Sequence, residues 1–588
     1  MAEFPAGNRT MKRLRWIGVL IAVAAFAAQA PSLAPPIAAQ AGGAVTSFNW
    51  TLHNYDLFGS RYVPLTQINR DNVKTLVPRW IFQHGVIDGV SNQTTPIIVD
   101  GTMYLTDSRG SVYAVNAADG HFLWSYDVTD LIGGGAKEGY IFRQRGTCYM
   151  DGVVYTAGGA SLFALDAQSG KPVRGFGANG QANPIMEVLK QRYAHVTTPI
   201  SLGYSFTVAP QCYKGALFIG ANRSESHVPG GYMFKVDAKT GKVLWAFNTV
   251  PQDERDQGWE MAGPTWVGGE RHGGGIWQTP SIDEELGLLY FSAGNPFGDS
   301  KKRAGINLFS DCVIALTLDT GRLKWYFQQV HHDVWDYDAA TAPTLFNMQV
   351  NGKQVKALSH GNKSGLLYIL NRETGQGVHS IKELPVSTEA APGEHPWPTQ
   401  PFPYTASGKL MEPLFDIPAT DIAESQLKKG FKAVPLFTPP GPNQVQPYSG
   451  QNYGPAAYSP RTGLIYVSAI DAPRNSGRDP KGAFSAYDPT TGALKWRQKF
   501  DGYGQAGPVV TAGDVAFVGA GSNWAGYFYA FDAKTGEMLW KFNTGSGVFS
   551  SPSVYVVNGE QFVTVASGGG DRGRRGGDDI IAFALPKR

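Results

Sequence analysis

An all-β propeller of four-stranded antiparallel blades is predicted by three observations: a recurring hairpin phrase, the strand-like runs that flank it, and 72 Gly and 38 Pro in 588 residues. The phrase is a short apolar strand ending in small-x-Asp or a near variant, a turn closing on Gly, and a strand with Trp four residues beyond that Gly. Five copies keep the Trp: AVNAADGHFLW (Gly120, Trp124), KVDAKTGKVLW (Gly241, Trp245), ALTLDTGRLKW (Gly321, Trp325), AYDPTTGALKW (Gly492, Trp496) and AFDAKTGEMLW (Gly536, Trp540). Two have lost it, ALDAQSGKPVR at Gly170 and ILNRETGQGVH at Gly375, and the hairpins SIDEELGLLYFS and YSPRTGLIYVS share only the turn. Asp or Asn opens each turn through its side chain, and Gly takes the positive-φ position that other residues occupy at a steric cost. The runs VYAVNA, LYFSA, LIYVSA and FYAFDA carry the β-branched and aromatic content of strands. Successive repeat glycines lie 44 to 117 residues apart, as in blades that carry insertions of varied length.

Taken along the chain, residues 1–40 have the form of a cleaved signal peptide: Lys12, Arg13 and Arg15, the apolar run WIGVLIAVAAFAA, then small residues in AAQA. The remainder, 41–588, reads as a single propeller domain. The leader holds four basic residues and one acidic one, so its removal leaves 47 basic against 47 acidic residues. That balance gives no reason to expect nucleic acid or an anionic membrane surface as a partner. The repeat tryptophans are expected to pack between neighbouring blades. A Pro-rich insertion over about 384–447, with weak strand signal, is expected to form a loop layer over one face. The last run, IIAFAL, is placed to pair with an early strand and close the ring, which removes two sheet edges. Cys148, Cys212 and Cys312 match no metal spacing and no CxxCH haem attachment, so at most one disulfide forms and one thiol remains.

Three stretches carry candidate chemistry. In HHDVWDYDAATAP, Asp333, Asp336 and Asp338 stand close together beside His331 and His332. Alternate residues of an extended segment point the same way, so Asp336 and Asp338 are suited to share a hard cation, although a polar turn explains the cluster as well. Glu225 in FIGANRSESHVPGGYM and Asn295 in LYFSAGNPFGD are, alone, a loop glutamate and a turn residue.

Together these stretches, and nearly all of the chain from WTLHNYDLFGSRYVPLTQINRDNVKTL to GSGVFSSPSVYVVNGEQFVTVASGGG, resemble the quinoprotein alcohol and sugar dehydrogenases. The members of that family are eight-bladed propellers that bind pyrroloquinoline quinone (PQQ) and a metal. The resemblance implies Glu225, Asn295 and Asp336 as metal ligands, with Asp338 as an added carboxylate of the kind that marks lanthanide users; calcium is the expected ion and a lanthanide the alternative. It further implies Arg145, Thr207, Lys363 and Asn452 as PQQ contacts, with Gln93 where alcohol-type members carry Glu, and Trp277 as the ring beneath the cofactor. Asp336 is then the general base, and Lys363 the cation beside the reactive carbonyl. A guanidinium suits a tricarboxylate and an indole suits a flat quinone. The sequence departs from the alcohol-type pattern in lacking a vicinal cysteine pair near Gly139 and Tyr140, in having Lys363 in place of Arg, and in lacking a late Trp near Gln505. The missing cysteine pair, Lys363 in place of Arg and the segment DVWDYDAATAP lean toward polyol or sugar substrates. Expected partners are therefore an alcohol, polyol or sugar, and a separate cytochrome c or membrane quinone as acceptor, in the periplasm. A homodimer is left open. The competing readings are a non-catalytic propeller scaffold and a PQQ-binding homologue without turnover.

Overall fold

The Asp-x-x-x-Gly phrase folds as its chemistry dictates. In KVDAKTG, Asp237 Oδ1 accepts from the Thr240 backbone N–H at 2.7 Å and from its hydroxyl at 2.6 Å, and Gly241 N–H closes the turn on the Asp237 carbonyl at φ +74°. The same construction recurs around a ring of eight sheets in a computed structural model that describes residues 45–87, 90–128, 143–193, 203–221, 228–417, 421–522, 525–570 and 576–587. Blades one to seven occupy 97–126, 148–182, 211–248, 281–328, 344–371, 457–501 and 509–543.

The eighth blade joins Ser553–Val557, Glu560–Ser567 and Asp579–Ala584 to Val77–Gln83 from near the start of the described chain. Val77 pairs with Ala584 and Gln83 with Asp579, so the final strand closes the ring as expected. The four-stranded rule has exceptions. Blade five has three strands, Thr344–Val350, Lys353–Gly361 and Leu367–Asn371, and blade seven gains a parallel fifth strand, Tyr62–Val63.

Tryptophans dock blade to blade. A Cβ added to Gly170, Gly321, Gly375 or Gly536 would come within 2.4 to 2.6 Å of the rings of Trp124, Trp245, Trp325 and Trp496, each from the preceding blade. Each indole also donates to a carbonyl of the next blade: Ala167, Leu318, Arg372 and Ala533. Trp80 does the same across the closing seam, under Gly120 and onto Ala117. The two Trp-less copies, at Gly170 and Gly375, have no indole to offer the next blade. Gly241 packs instead on Phe176 and Ala182, at the outer strand of blade two, and Gly492 on Thr405 and Met411 of the Pro-rich insertion. The Pro-rich insertion is more ordered than expected: it holds a hairpin, Ile381–Pro385 with Thr399–Pro403, a short parallel pair, Lys432–Ala433 with Gln444–Val445, and one helical turn at Glu424–Leu427.

Candidate active site

The residues singled out from the sequence share one topological position. Gln93, Arg145, Thr207, Trp277 and Asn452 each lie a few residues before the first strand of a blade, as do Asp336 and Asp338, whereas Asn295 and Lys363 follow second strands. Those ends converge at one end of the ring's axis. Glu225 follows Ala216–Ala221 in the chain in the same way, but it lies outside the described residues, as do Gly139 and Tyr140.

Lys363 organises the charged floor. Its ammonium donates to Asp336 Oδ1 at 2.8 Å and to Asp338 Oδ2, and its backbone N–H reaches the Asp338 carbonyl at 3.3 Å. The other Asp338 oxygen accepts from Asn295 N–H at 2.8 Å. Asp336 Oδ2 takes the Tyr448 hydroxyl at 2.6 Å and Arg474 Nη2 at 3.1 Å, and the Arg474 guanidinium lies over the Tyr448 ring at 4.0 Å. Burial alone would raise the Asp336 pKa, but Lys363 and the hydrogen-bond donors outweigh it and hold the carboxyl below its ordinary value. Asp336 and Asp338 do not meet by alternation along an extended strand. Asp336 sits at φ +66°, so the segment turns there, and the shared lysine brings the two carboxylates together.

The rest of the aspartate and histidine cluster has structural work. Asp333 caps the backbone N–H groups of Trp335 and Tyr337 at 2.6 Å each, and burial raises its pKa to about 6. His331 hydrogen-bonds Gln328 and Glu383, and His332 faces the Gly305 carbonyl.

Arg145 anchors a second group of site residues. Its Nη1 donates to the Thr207 carbonyl at 2.6 Å, the Thr207 hydroxyl at 3.2 Å and the Trp277 carbonyl at 3.1 Å, with the guanidinium 4.7 Å above the Tyr453 ring. Burial lowers its pKa to about 9, and its buried Nε has no hydrogen-bond partner among the described residues. The Trp277 ring lies against Gly294, where a Cβ would come 2.3 Å from the indole and 2.7 Å from Asp338 Oδ1, so only glycine admits both. Gln93 is buried beside Thr94 and Thr95, whose backbone pairs with the Arg145 carbonyl, and its Oε1 has no partner among the described residues. Asn452 follows Gln451, whose N–H bonds the Asn362 carbonyl next to Lys363.

This donor set fits the two expected groups. Asn295 Oδ1 is a buried acceptor with no partner among the described residues, as a cation ligand requires, and it stands next to Gly294, which Asp338 and Trp277 both approach. The buried Arg145 fork, paired only with neutral oxygens among its hydrogen bonds, is suited to an anion. Tyr448, Arg474 and Tyr453 were missed in the sequence. They lie outside any recurring motif, and Tyr448 and Arg474 reach Asp336 across 112 and 138 residues of chain.

The family profile described as "PQQ: Glucose/ethanol/alcohol dehydrogenase, beta-propeller domain" matches residues 50–476 and 498–563. The chain belongs to the PQQ β-propeller dehydrogenases. It is 30% identical to the quinoprotein alcohol dehydrogenase PedH of Pseudomonas putida, over 90% of this chain and 90% of the relative. It is 29% identical to the lanthanide-dependent methanol dehydrogenase of Methylacidiphilum fumariolicum, over 89% of this chain and 85% of that protein. Among solved structures, the quinohemoprotein alcohol dehydrogenase of Comamonas testosteroni superposes with a TM-score of 0.72 at 27% identity, covering 93% of this chain and 82% of its own. Membership makes this quinoprotein an oxidoreductase and PQQ its cofactor.

Proposed function

We propose that this dehydrogenase oxidises the hydroxyl-bearing carbon of an alcohol, polyol or sugar in the periplasm, using PQQ with a bound calcium ion and passing electrons to a separate cytochrome or membrane quinone. The observation that carries the reading is Asp336, a carboxylate fixed by Lys363 on one oxygen and by Tyr448 and Arg474 on the other, beside the unpartnered Asn295 oxygen. Arg145 and Thr207 would hold the cofactor's carboxylate edge, Trp277 its flat face, and Lys363, Asn452 and Gln93 its polar edges. Asn295 and Asp336, with Glu225 and Asp338 near in role, would hold the cation. When bound, the quinone supplies a two-electron acceptor and the cation a Lewis acid.

The chain's own part is proton handling and orientation. Asp336 accepts the substrate hydroxyl proton on a carboxylate oxygen, and its three donors fix that oxygen's direction. Lys363 places its positive charge between the Asp336 and Asp338 carboxylates and holds them in position. The periplasmic assignment rests on the form of residues 1–40 and on the Cys148–Cys212 disulfide, a bond that persists in oxidising compartments. Among the described residues, no helix is long and apolar enough to cross a membrane.

The test is reconstitution with PQQ and Ca²⁺ or a lanthanide, followed by dye reduction over a panel of alcohols, polyols and sugars. Turnover with Ca²⁺ supports the proposal. Bound PQQ without turnover points to a binding-only homologue, and failure to bind PQQ with any metal points to a scaffold.

A further inference from the structure

We infer that Arg474, with Tyr448 as its platform, reads a second oxygen on the carbon next to the reacting one, so that the site prefers vicinal diols and polyols to simple alkanols. The inference rests on the dehydrogenase reading above. Side-chain exposure rises across the cluster from 0% at Asp338 and 8% at Lys363 to 27% at Asp336 and 38% at Arg474. Asp338 and Lys363 are therefore the floor, and Arg474 stands at the mouth. A substrate hydroxyl that meets the exposed part of Asp336 lies beside the guanidinium, which contacts the same carboxylate.

That guanidinium is not a free surface arginine. Its face rests on the Tyr448 ring at 4.0 Å, and Nη2 is tied to Asp336 Oδ2, the same oxygen that takes the Tyr448 hydroxyl. Its chain segment is also held, because Arg474 N–H donates to the Gln446 carbonyl at 3.0 Å. Stacking and the ion pair together fix the plane of the fork, so its other N–H groups point in set directions. One hydrogen-bond length thus separates a proton acceptor from a rigid donor fork at the mouth. Two oxygens on adjacent carbons match that spacing: one gives its proton to Asp336 while the other accepts from Arg474. A plain alkanol would lay an alkyl chain against the guanidinium and take water from it without return, which is the discrimination a hydrogen-bonding site exerts against an analogue lacking the group.

The experiment compares kcat/KM for propane-1,2-diol and propan-1-ol in the PQQ- and Ca²⁺-loaded enzyme, with quenching of tryptophan fluorescence by PQQ as a separate measure of cofactor loading. Wild type is expected to favour the diol at least tenfold. Arg474→Leu should cut that ratio at least tenfold, and Arg474→Lys should recover part of it. A wild-type enzyme with no diol preference, or an Arg474→Leu ratio equal to wild type, overturns the inference. If wild type fails to load PQQ, the dehydrogenase reading falls and takes this one with it. Loading and turnover with an unmoved ratio remove the Arg474 assignment alone.

Discussion

Asp336 accepts from a lysine, a tyrosine and an arginine that come from three separate parts of the chain, and no one of them is its sequence neighbour. Replacing it with Asn keeps the shape but removes the proton acceptor. Asp336→Asn is expected to lower kcat by about a thousandfold, within the usual range for loss of a general base, while PQQ still quenches tryptophan fluorescence. Near-normal dye reduction by the loaded variant would remove Asp336 from the chemistry. At this scale residues that stand in a motif, Arg145 in RQRG, Trp277 in GGIWQTP and Lys363 in HGNKSG, could be picked out from the sequence, and the structure brings them to one end of the ring. The sequence was opaque where a side chain acts from a loop without a pattern, as with Tyr448 after the Pro-rich insertion and Arg474 in DAPRNSG. The pairing of Lys363 with both carboxylates was equally hidden, because it depends on the turn at Asp336, not on strand alternation.

At the scale of elements, the hairpin phrase forecast the blades because its turn chemistry is local, and the Trp reaches only the next blade. Its failures are informative. Where the Trp is missing, other residues fill the space under the next glycine: Phe176 and Ala182 at the outer strand of blade two in one case, and Thr405 and Met411 of the Pro-rich insertion in the other. The docking contact is thus retained while its supplier changes, which no count of tryptophans shows. Trp325 packs under Gly375 and donates to the Arg372 carbonyl, next to the fully buried Arg372–Asp283 ion pair that joins blades four and five. Trp325→Ala should therefore destabilise the fold by roughly 3 to 5 kcal/mol, read as a lower midpoint in urea. An unchanged midpoint would mean that the indole is dispensable at this interface.

For the whole molecule, three buried histidines give acid sensitivity. Burial lowers His53 to about 3, helped by Arg61 and Arg145, and lowers His332 and His360 to about 4. Each folded pKa lies below the unfolded value of 6.5, so between the two the unfolded chain binds more protons and stability falls as pH drops. From pH 7 to pH 5 the loss is about 2 kcal/mol per histidine, to be seen as a falling guanidinium midpoint. A flat midpoint over that range would contradict the burial. The Cys148–Cys212 disulfide ties the first strands of blades two and three across 64 residues. Replacing both cysteines with Ser should cost about 4 kcal/mol by the loop-closure relation, measured against the oxidised protein in the same denaturant series.

The seam between Val77–Gln83 and Asp579–Ala584 also sets an order of events. Until the last of these residues is available, Val77–Gln83 has no neighbour within its own blade, and Trp80 must hold its place under Gly120 without it. A pairing between strands some five hundred residues apart belongs among the slow contacts of folding. The ring is thus a clasp fastened last. A chain cut before residue 579 would present the open edges of Val77–Gln83 and Glu560–Ser567 to its neighbours and is expected to aggregate where the full chain stays dispersed, a difference that light scattering on refolding would register.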